Sequence, residues 1–427
     1  MDEFSSQGAG GRGRPFFGQL PSTPCLLLFA ACCLLSAVSS AQTIKLSGFL
    51  SGAGVYATGP KTWLEGGFGR LDQSRNGAFA QAQLGLDWTP SNWFDVHVYG
   101  IARHDRDLDH AGVAEAYAEV RKTYTHDQFQ LKAGEFFLPT SRENRGNLWT
   151  SNYAITFSAL NSWIAEEVRP IGAEAEWRHE FPNLSAITVA GTAFRGNDTM
   201  GTLLGWRGWA VSSRVATYRE ALPLPPLFSF SNPKMFLDQR DGTVPFDRDL
   251  DGRTGFAGRI RYSIPERGMI QFVHLDNRGE RELYVDQYSW QTRFNLVSAE
   301  LGSQDSTILA AEYMNGDTGM GFRGKGRGWV QADFYATYAL LSHKYGRSRF
   351  TARIEQFATF ERDHSISENN TEHGRAWALA WLYELDKHWR LGAEFTSVTG
   401  DRPAAAQSGA DPNMDGRAVT VEARYGF

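Results

Sequence analysis

The most constraining feature of the chain is an alternation of apolar and polar residues, with a period of two, that recurs from Ile44 to Phe427. Successive side chains of an extended segment point to opposite faces, so each run reads as a strand with two unlike faces; a helix would repeat every three to four residues. Ala80, Ala82, Leu84, Leu86 and Trp88 share one face, and Gln81, Gln83 and Asp87 the other. Phe94–Tyr99, Ala114–Arg121, Phe129–Ala133 and Ala173–Arg178 follow the same rule. The runs are about twice the five or six residues usual in soluble sheets, which argues against a soluble sandwich.

Sixteen runs are predicted, at 44–56, 78–88, 93–103, 113–121, 127–136, 171–178, 184–194, 254–263, 269–276, 287–301, 306–314, 331–343, 349–361, 374–384, 389–398 and 417–427. Short connections are expected at Thr89–Asn92, Phe181–Asn183, Pro265–Gly268, Gly346–Ser348 and Asp386–His388, and long ones everywhere else. An even number of antiparallel strands, with short turns at one rim and long loops at the other, can close and leave no unpaired edge in lipid. The expected fold is therefore all-β, a 16-stranded antiparallel transmembrane β-barrel with long external loops and short periplasmic turns. Tyr56, Trp88, Trp93, Phe94, Trp177, Tyr262, Tyr345, Phe350 and Trp389 fall near strand ends, where amphipathic rings suit headgroup depth.

The one long apolar run, Cys25–Val38, is shorter than the roughly 20 residues of a spanning helix. Arg12 and Arg14 precede it and the small residues Ser39, Ser40 and Ala41 follow it, so residues 1–41 read as a signal peptide and 42–427 as the barrel. The other readings of this segment are a lipoprotein acylated at Cys32 and an uncleaved signal anchor, for which the run is short. Cys25, Cys32 and Cys33 are the only cysteines, which leaves the expected barrel without a disulfide, a thiolate nucleophile or a cysteine metal site. Net charge is −5, from 43 basic and 48 acidic side chains, and offers no basic surplus for nucleic acid.

From Val419 the chain ends with apolar residues at every second position and a terminal Phe427. This resembles the C-terminal signal that bacterial outer-membrane barrels present to their assembly machinery. Sixteen strands and eight long loops resemble the general porins, across the whole chain after the leader. Leu131–Asn144, followed by a long third loop to Pro170, is similar to the corresponding region of the phosphate-selective porin O and P family. The resemblance implies a passive diffusion channel for small hydrophilic solutes or ions, anions such as phosphate among them, in the outer membrane of a Gram-negative bacterium. It also implies a homotrimer in contact with lipopolysaccharide. No catalytic residue is expected, because neither a Gly-x-Ser-x-Gly elbow nor a His-Glu-x-x-His helix occurs. The alternative is a non-conducting outer-membrane barrel acting as a lipid hydrolase or a surface adhesin.

Charged side chains are cheaper in a wet lumen than on a lipid face. The alternation therefore places Arg259, Arg261, Arg293, Arg353 and Arg390 on the pore wall, with Glu174, Glu176, Glu312, Glu355, Glu394 and Glu422 among the acids beside them. The third loop, roughly 138–169, carries Arg142, Glu143, Arg145, Glu166, Glu167 and Arg169 as candidate constriction residues, since porin loops of this kind fold inward. Glu166 and Glu167 are expected to face Arg259, Arg261 and Arg293 across a transverse field. The fourth loop, roughly 195–254, carries an apolar stretch from Leu203 to Ala221; it could plug the mouth, cover a neighbouring subunit or act as a lid. Within it Asp247, Asp249 and Asp251 alternate before Gly252, an oxygen-rich arrangement suited to calcium, and no other cofactor is expected. Gly319–Gly324 matches a dinucleotide fingerprint in letters only, because no helix is expected after it; Arg323, Lys325 and Arg327 make that loop basic.

Overall fold

The computed structural model describes residues 43–72, 76–105, 109–231, 239, 242–246, 249–281, 287–321, 329–363 and 369–427. The segment expected to be a signal peptide, all three cysteines, Asp247 and the basic segment Arg323–Arg327 lie outside the described residues. Sixteen strands form one closed barrel. They are β1 (Thr43–Thr58), β2 (Gly77–Ser91), β3 (Phe94–Asp105), β4 (His110–Thr123), β5 (Asp127–Glu135), β6 (Ile171–Glu180), β7 (Ala186–Arg195) and β8 (Gly255–Ile264). The second half comprises β9 (Gly268–Asp276), β10 (Trp290–Gly302), β11 (Thr307–Met320), β12 (Val330–Tyr345), β13 (Ser348–Glu361), β14 (Glu372–Glu384), β15 (Trp389–Asp401) and β16 (Gly416–Gly426). Each strand pairs antiparallel with its sequence neighbours, and β1 closes onto β16 from Phe49 opposite Gly426 to Thr58 opposite Arg417. Phe427 extends this seam by exchanging two backbone hydrogen bonds of 3.1 Å with Gly48. Closure leaves no sheet edge to satisfy in lipid.

One rim carries only short turns, at 92–93, 124–126, 181–185, 265–267, 303–306, 346–347 and 385–388. The turns at 124–126 and 303–306 correct the sequence reading, which expected long connections there. The second connection of the opposite rim, 106–109, is short as well, against the expectation of a long loop. Both differences have one cause. Arg103–Asp105, Lys122–Thr123 and Ser303–Ser306 are polar on both faces, so alternation gives no signal where these hairpins end.

The outer wall is apolar, as lipid requires. Leu50, Leu84, Leu131, Ile260, Ile270, Leu341, Ile354, Leu379 and Val421 are all more than half exposed. Trp93, Tyr124, Phe129, Trp177, Tyr345, Phe350 and Trp389 ring the short-turn rim. Along β12 the inward side chains Val330, Ala332, Phe334, Ala336, Tyr338, Leu340 and Ser342 are all buried, alternating with partly exposed outward ones.

Much of that inner face is apolar because it meets protein instead of water. Loop 3 (136–170) folds into the barrel and carries α1 (Ala159–Glu167), whose residues are all buried. Ser158 caps α1 by accepting a 3.2 Å hydrogen bond from the Asn161 N–H. Loop 4 (196–254) packs against it, with Leu203–Arg207 wound as one turn of π-helix. Trp163 of α1 lies edge-on to Phe294 of β10, Phe334 of β12 and Trp209 of loop 4, with centroids 5.6, 5.5 and 6.0 Å apart. Trp206 meets Trp290 at 5.0 Å. Such pairs contribute about 0.5 to 1.5 kcal/mol each beyond the burial of the rings. The two loops share a single core with inward residues of most strands, those of β10–β14 among them, so loop 4 fills much of the barrel.

Candidate functional site

Loop 3 is fastened to the wall by buried charge pairs. Arg353 of β13 is fully buried; its guanidinium pairs with Glu143 and with Glu355 (2.7 Å), and donates to the carbonyls of Thr156 (2.7 Å) and Phe157 (3.1 Å). Glu355 accepts from the Ala159 N–H at 2.6 Å, at the start of α1. Glu143 also accepts from the Ser158 N–H (2.8 Å) and the Asn161 side chain (3.2 Å). Glu394 of β15 accepts from the Ile155 N–H at 2.5 Å. Several fixed partners per charge are what offset the desolvation of a buried ion. Arg145, partly exposed, pairs with Glu300 of β10 at 2.6 Å.

Glu166 and Glu167 do not face a basic wall. Glu166 pairs with Arg207 of loop 4 at 2.7 Å, and both groups are buried. Glu167 accepts from the N–H groups of Leu203 (2.9 Å) and Gly201 (3.1 Å) and from the Trp163 indole (2.7 Å), thereby capping the loop 4 turn. Burial pushes the Glu167 carboxyl up to about 7, against the lowering pull of those hydrogen bonds. Arg169, fully buried, pairs with Glu135 at 2.9 Å and lies over the rings of Phe137 and Phe246. Arg259 is engaged by Glu174 (3.3 Å) and Glu176 (2.6 Å) on β6, and Arg390 by Glu422 (3.2 Å). Arg293 corrects the pore-wall expectation: it projects outward near the long-loop rim, more than half exposed, paired with Asp317 at 2.5 Å. The transverse field across loop 3 is therefore absent in the form expected. Loop 4 supplies the carboxylates with nearer partners than the far wall could.

Loop 4 has further latches. Glu372, at the start of β14, accepts from the Trp209 N–H (3.2 Å) and from Arg402 (3.1 Å), and pairs with Arg70 of the connection between β1 and β2. Arg402 in turn donates to the carbonyls of Gly205 (3.0 Å) and Trp206 (2.7 Å). Arg103 of β3 and Arg214 both engage Glu220. The sequence does carry a signal for this packing. Residues 334–341 are apolar on both faces but for Thr337, which a strand between lipid and water would not be.

Small polar cavities beside the loops lie along β16, β1, β2 and β3. Three cavities of about 20, 10 and 20 Å³ follow this wall, each large enough for about one water. Phe79 and Ser213 line all three. Arg103 and Asp72 stand at the one nearest the long-loop rim, and Glu422 and Arg424 at the one nearest the short-turn rim. Asp72 accepts from the Ser213 N–H at 3.0 Å, and burial raises its carboxyl to about 6.

Of the expected calcium ligands, Asp249 and Asp251 come together with Asp198, one oxygen of each carboxylate lying within 4.8 Å of the others. Asp198 is nearly buried; burial first, and then the charge of Asp251, raise it to about 7. These donors have the hard-oxygen chemistry that calcium takes. Asp198 lies about fifty residues earlier in the chain, so the local spacing did not reveal it.

No family model and no curated protein matches the chain. Solved structures do. The OmpF of Salmonella typhi in complex with daunomycin superposes with a TM-score of 0.52 at 9% identity, over 92% of this chain and 99% of that one. The fold is that of bacterial outer-membrane porins. An anion-selective porin from Comamonas acidovorans gives 0.51 at 9% identity, over 90% of this chain and all of the other. Outer-membrane expressed OmpT of Vibrio cholerae gives 0.50 at 10% identity, over 92% and 99%.

Proposed function

We propose that the protein is a porin-type channel of a Gram-negative outer membrane, passing small hydrophilic solutes or ions passively and making or breaking no bond. Its route is narrow. Loop 4 packs on the β10–β14 wall and is latched to β3 as well, and permeation follows the polar crevice left along β16, β1, β2 and β3. The observation that carries this reading is that crevice, lined by Asp72, Gln81, Gln83, Ser213, Glu422 and Arg424 inside a closed barrel with an apolar outer wall. Export by residues 1–41, assembly through the C-terminal strand, contact with lipopolysaccharide and a homotrimeric state belong to the same reading. The porin fold supports it, as does the trimer form of the similarly folded OmpT. Liposome swelling tests it. Vesicles holding the folded protein should swell in urea or glycine far faster than in a disaccharide, with their phospholipid intact. No swelling from a heat-modifiable barrel would favour an adhesin, and release of fatty acid a hydrolase.

A further inference from the structure

The outer wall is not evenly filled. On β12–β16 the outward side chains form two rows across the paired strands. His343, Phe350, Trp381, Ala393 and Val421 make the row nearer the short-turn rim, and Leu341, Ala352, Leu379, Phe395 and Val419 the row one step deeper. Each row has one alanine among larger side chains, and both alanines line a groove of about 620 Å³. That is within the size of pockets that hold small ligands. The end of the groove toward the rim is polar. The Trp381 indole donates to Ser348 Oγ at 3.2 Å, as a ring at headgroup depth does. Thr307 Oγ1 lies 2.8 Å from His343 Nδ1; when that nitrogen accepts, Nε2 carries the proton and can give it to an ester carbonyl. About 10 Å beyond Phe350, by strand rise, the chain reaches the exposed Arg347 of the next turn. Arg347 donates to the Leu385 carbonyl at 3.0 Å, which brings this turn beside the one that carries the exposed Lys387. The acids of these turns are already engaged: Glu384 by Lys344 at 3.1 Å, and Asp386 by the N–H groups of His388 (2.7 Å) and Trp389 (2.8 Å). Arg347 and Lys387 pair with no carboxylate among the described residues.

We infer that this groove binds one phospholipid of the periplasmic leaflet, with an acyl chain over Ala352 and Ala393 and the phosphate at Arg347 and Lys387. The groove is apolar and opens on the lipid-facing wall, so hydrocarbon is what fills it. Outer-membrane barrels keep their short turns on the periplasmic side, where the leaflet is made of phospholipid. The two unpaired cations select an anionic headgroup, to which charge-assisted hydrogen bonds are about twice as strong as neutral ones. A second copy of the barrel would cover the groove with another apolar wall and bring no counter-charge to them. A glycolipid of the outer leaflet would lie at the opposite rim. The inference rests on the outer-membrane placement of the barrel and is independent of conduction.

The test is native mass spectrometry of the folded, detergent-solubilised barrel titrated with phosphatidylglycerol. One equivalent is expected to bind saturably. Replacing both alanines, Ala352→Leu with Ala393→Leu, fills the groove with side chains that lipid tolerates, so heat-modifiable migration should be kept. Binding should weaken by about tenfold or more, the effect of losing the burial of two chain methylenes. Lys387→Gln should weaken it by about fivefold, the share of one cation at a lipid surface. Ala175→Leu, outward on β6 and away from the groove, should bind as the parent does. Absence of saturable binding, or unchanged binding by either folded variant of the site, overturns the proposal. A dimer that the double alanine replacement breaks apart also overturns it, by making a second copy the occupant. Loss of liposome swelling would remove the channel and leave this site, whereas loss of phospholipid binding would remove the site and leave the channel.

Discussion

Arg353 stands at the point where loop 3, α1 and the wall meet, and its charge is matched by Glu143 and Glu355 with no water between them. Arg353→Met would leave two buried carboxylates without a counter-ion and is expected to destabilise the barrel by about 3 to 5 kcal/mol. Thermal unfolding in detergent measures this, and a transition unmoved by the change would mean that the pair does not hold loop 3. Acidic groups of the loops set a pH dependence. Asp198 and Glu167 are raised to about 7 and Asp72 to about 6, above their unfolded values near 4. The folded state therefore binds more protons than the unfolded one between about pH 4 and pH 7, and stability contributed by these groups is lost as pH rises through that window. In a chelating buffer the melting temperature should fall from pH 5 to pH 8, and Asp198→Asn should remove part of that fall. A melting temperature that rises over this range would contradict the burial ascribed to these groups.

At the scale of the element, loop 4 is the part that decides how much of the lumen is open. Its latch at Glu372 holds Trp209, Arg402 and Arg70 together. Glu372→Gln should loosen it, by an amount on the order of the 3 to 5 kcal/mol for breaking a buried pair, and should make residues 203–231 cleavable by an added protease in proteoliposomes. Resistance equal to the parent would show that packing around Trp163 and Trp206 suffices. The strands were legible because lipid and lumen impose opposite demands on alternate residues, and all sixteen expected runs coincide with strands. The pairings of loop 3 were not. Glu166 and Arg207 are 41 residues apart, and nothing local to either names the other. Arg293 misled for a related reason: near a rim an outward arginine can reach polar headgroups and an acid such as Asp317, so alternation alone assigns it no face.

For the whole molecule, the account requires a barrel with lipid outside and a largely filled interior. Ile354, at the middle of β13 and 65% exposed, tests the outer face. Ile354→Arg is expected to cost about 2 to 4 kcal/mol of stability in a bilayer, whereas the native arginine one position earlier is retained because it points inward. Equal stability of the variant would argue against a lipid-facing wall. The interior is tested most directly by single-channel conductance in a planar bilayer, comparing the parent with a variant in which residues 199–246 are replaced by a short glycine–serine linker. The stems of that loop are already adjacent, with Phe194 opposite Gly255. The account predicts small steps for the parent and steps several times larger for the shortened protein. Large steps of equal size from both, or silence from both when each migrates as a folded barrel, would contradict it.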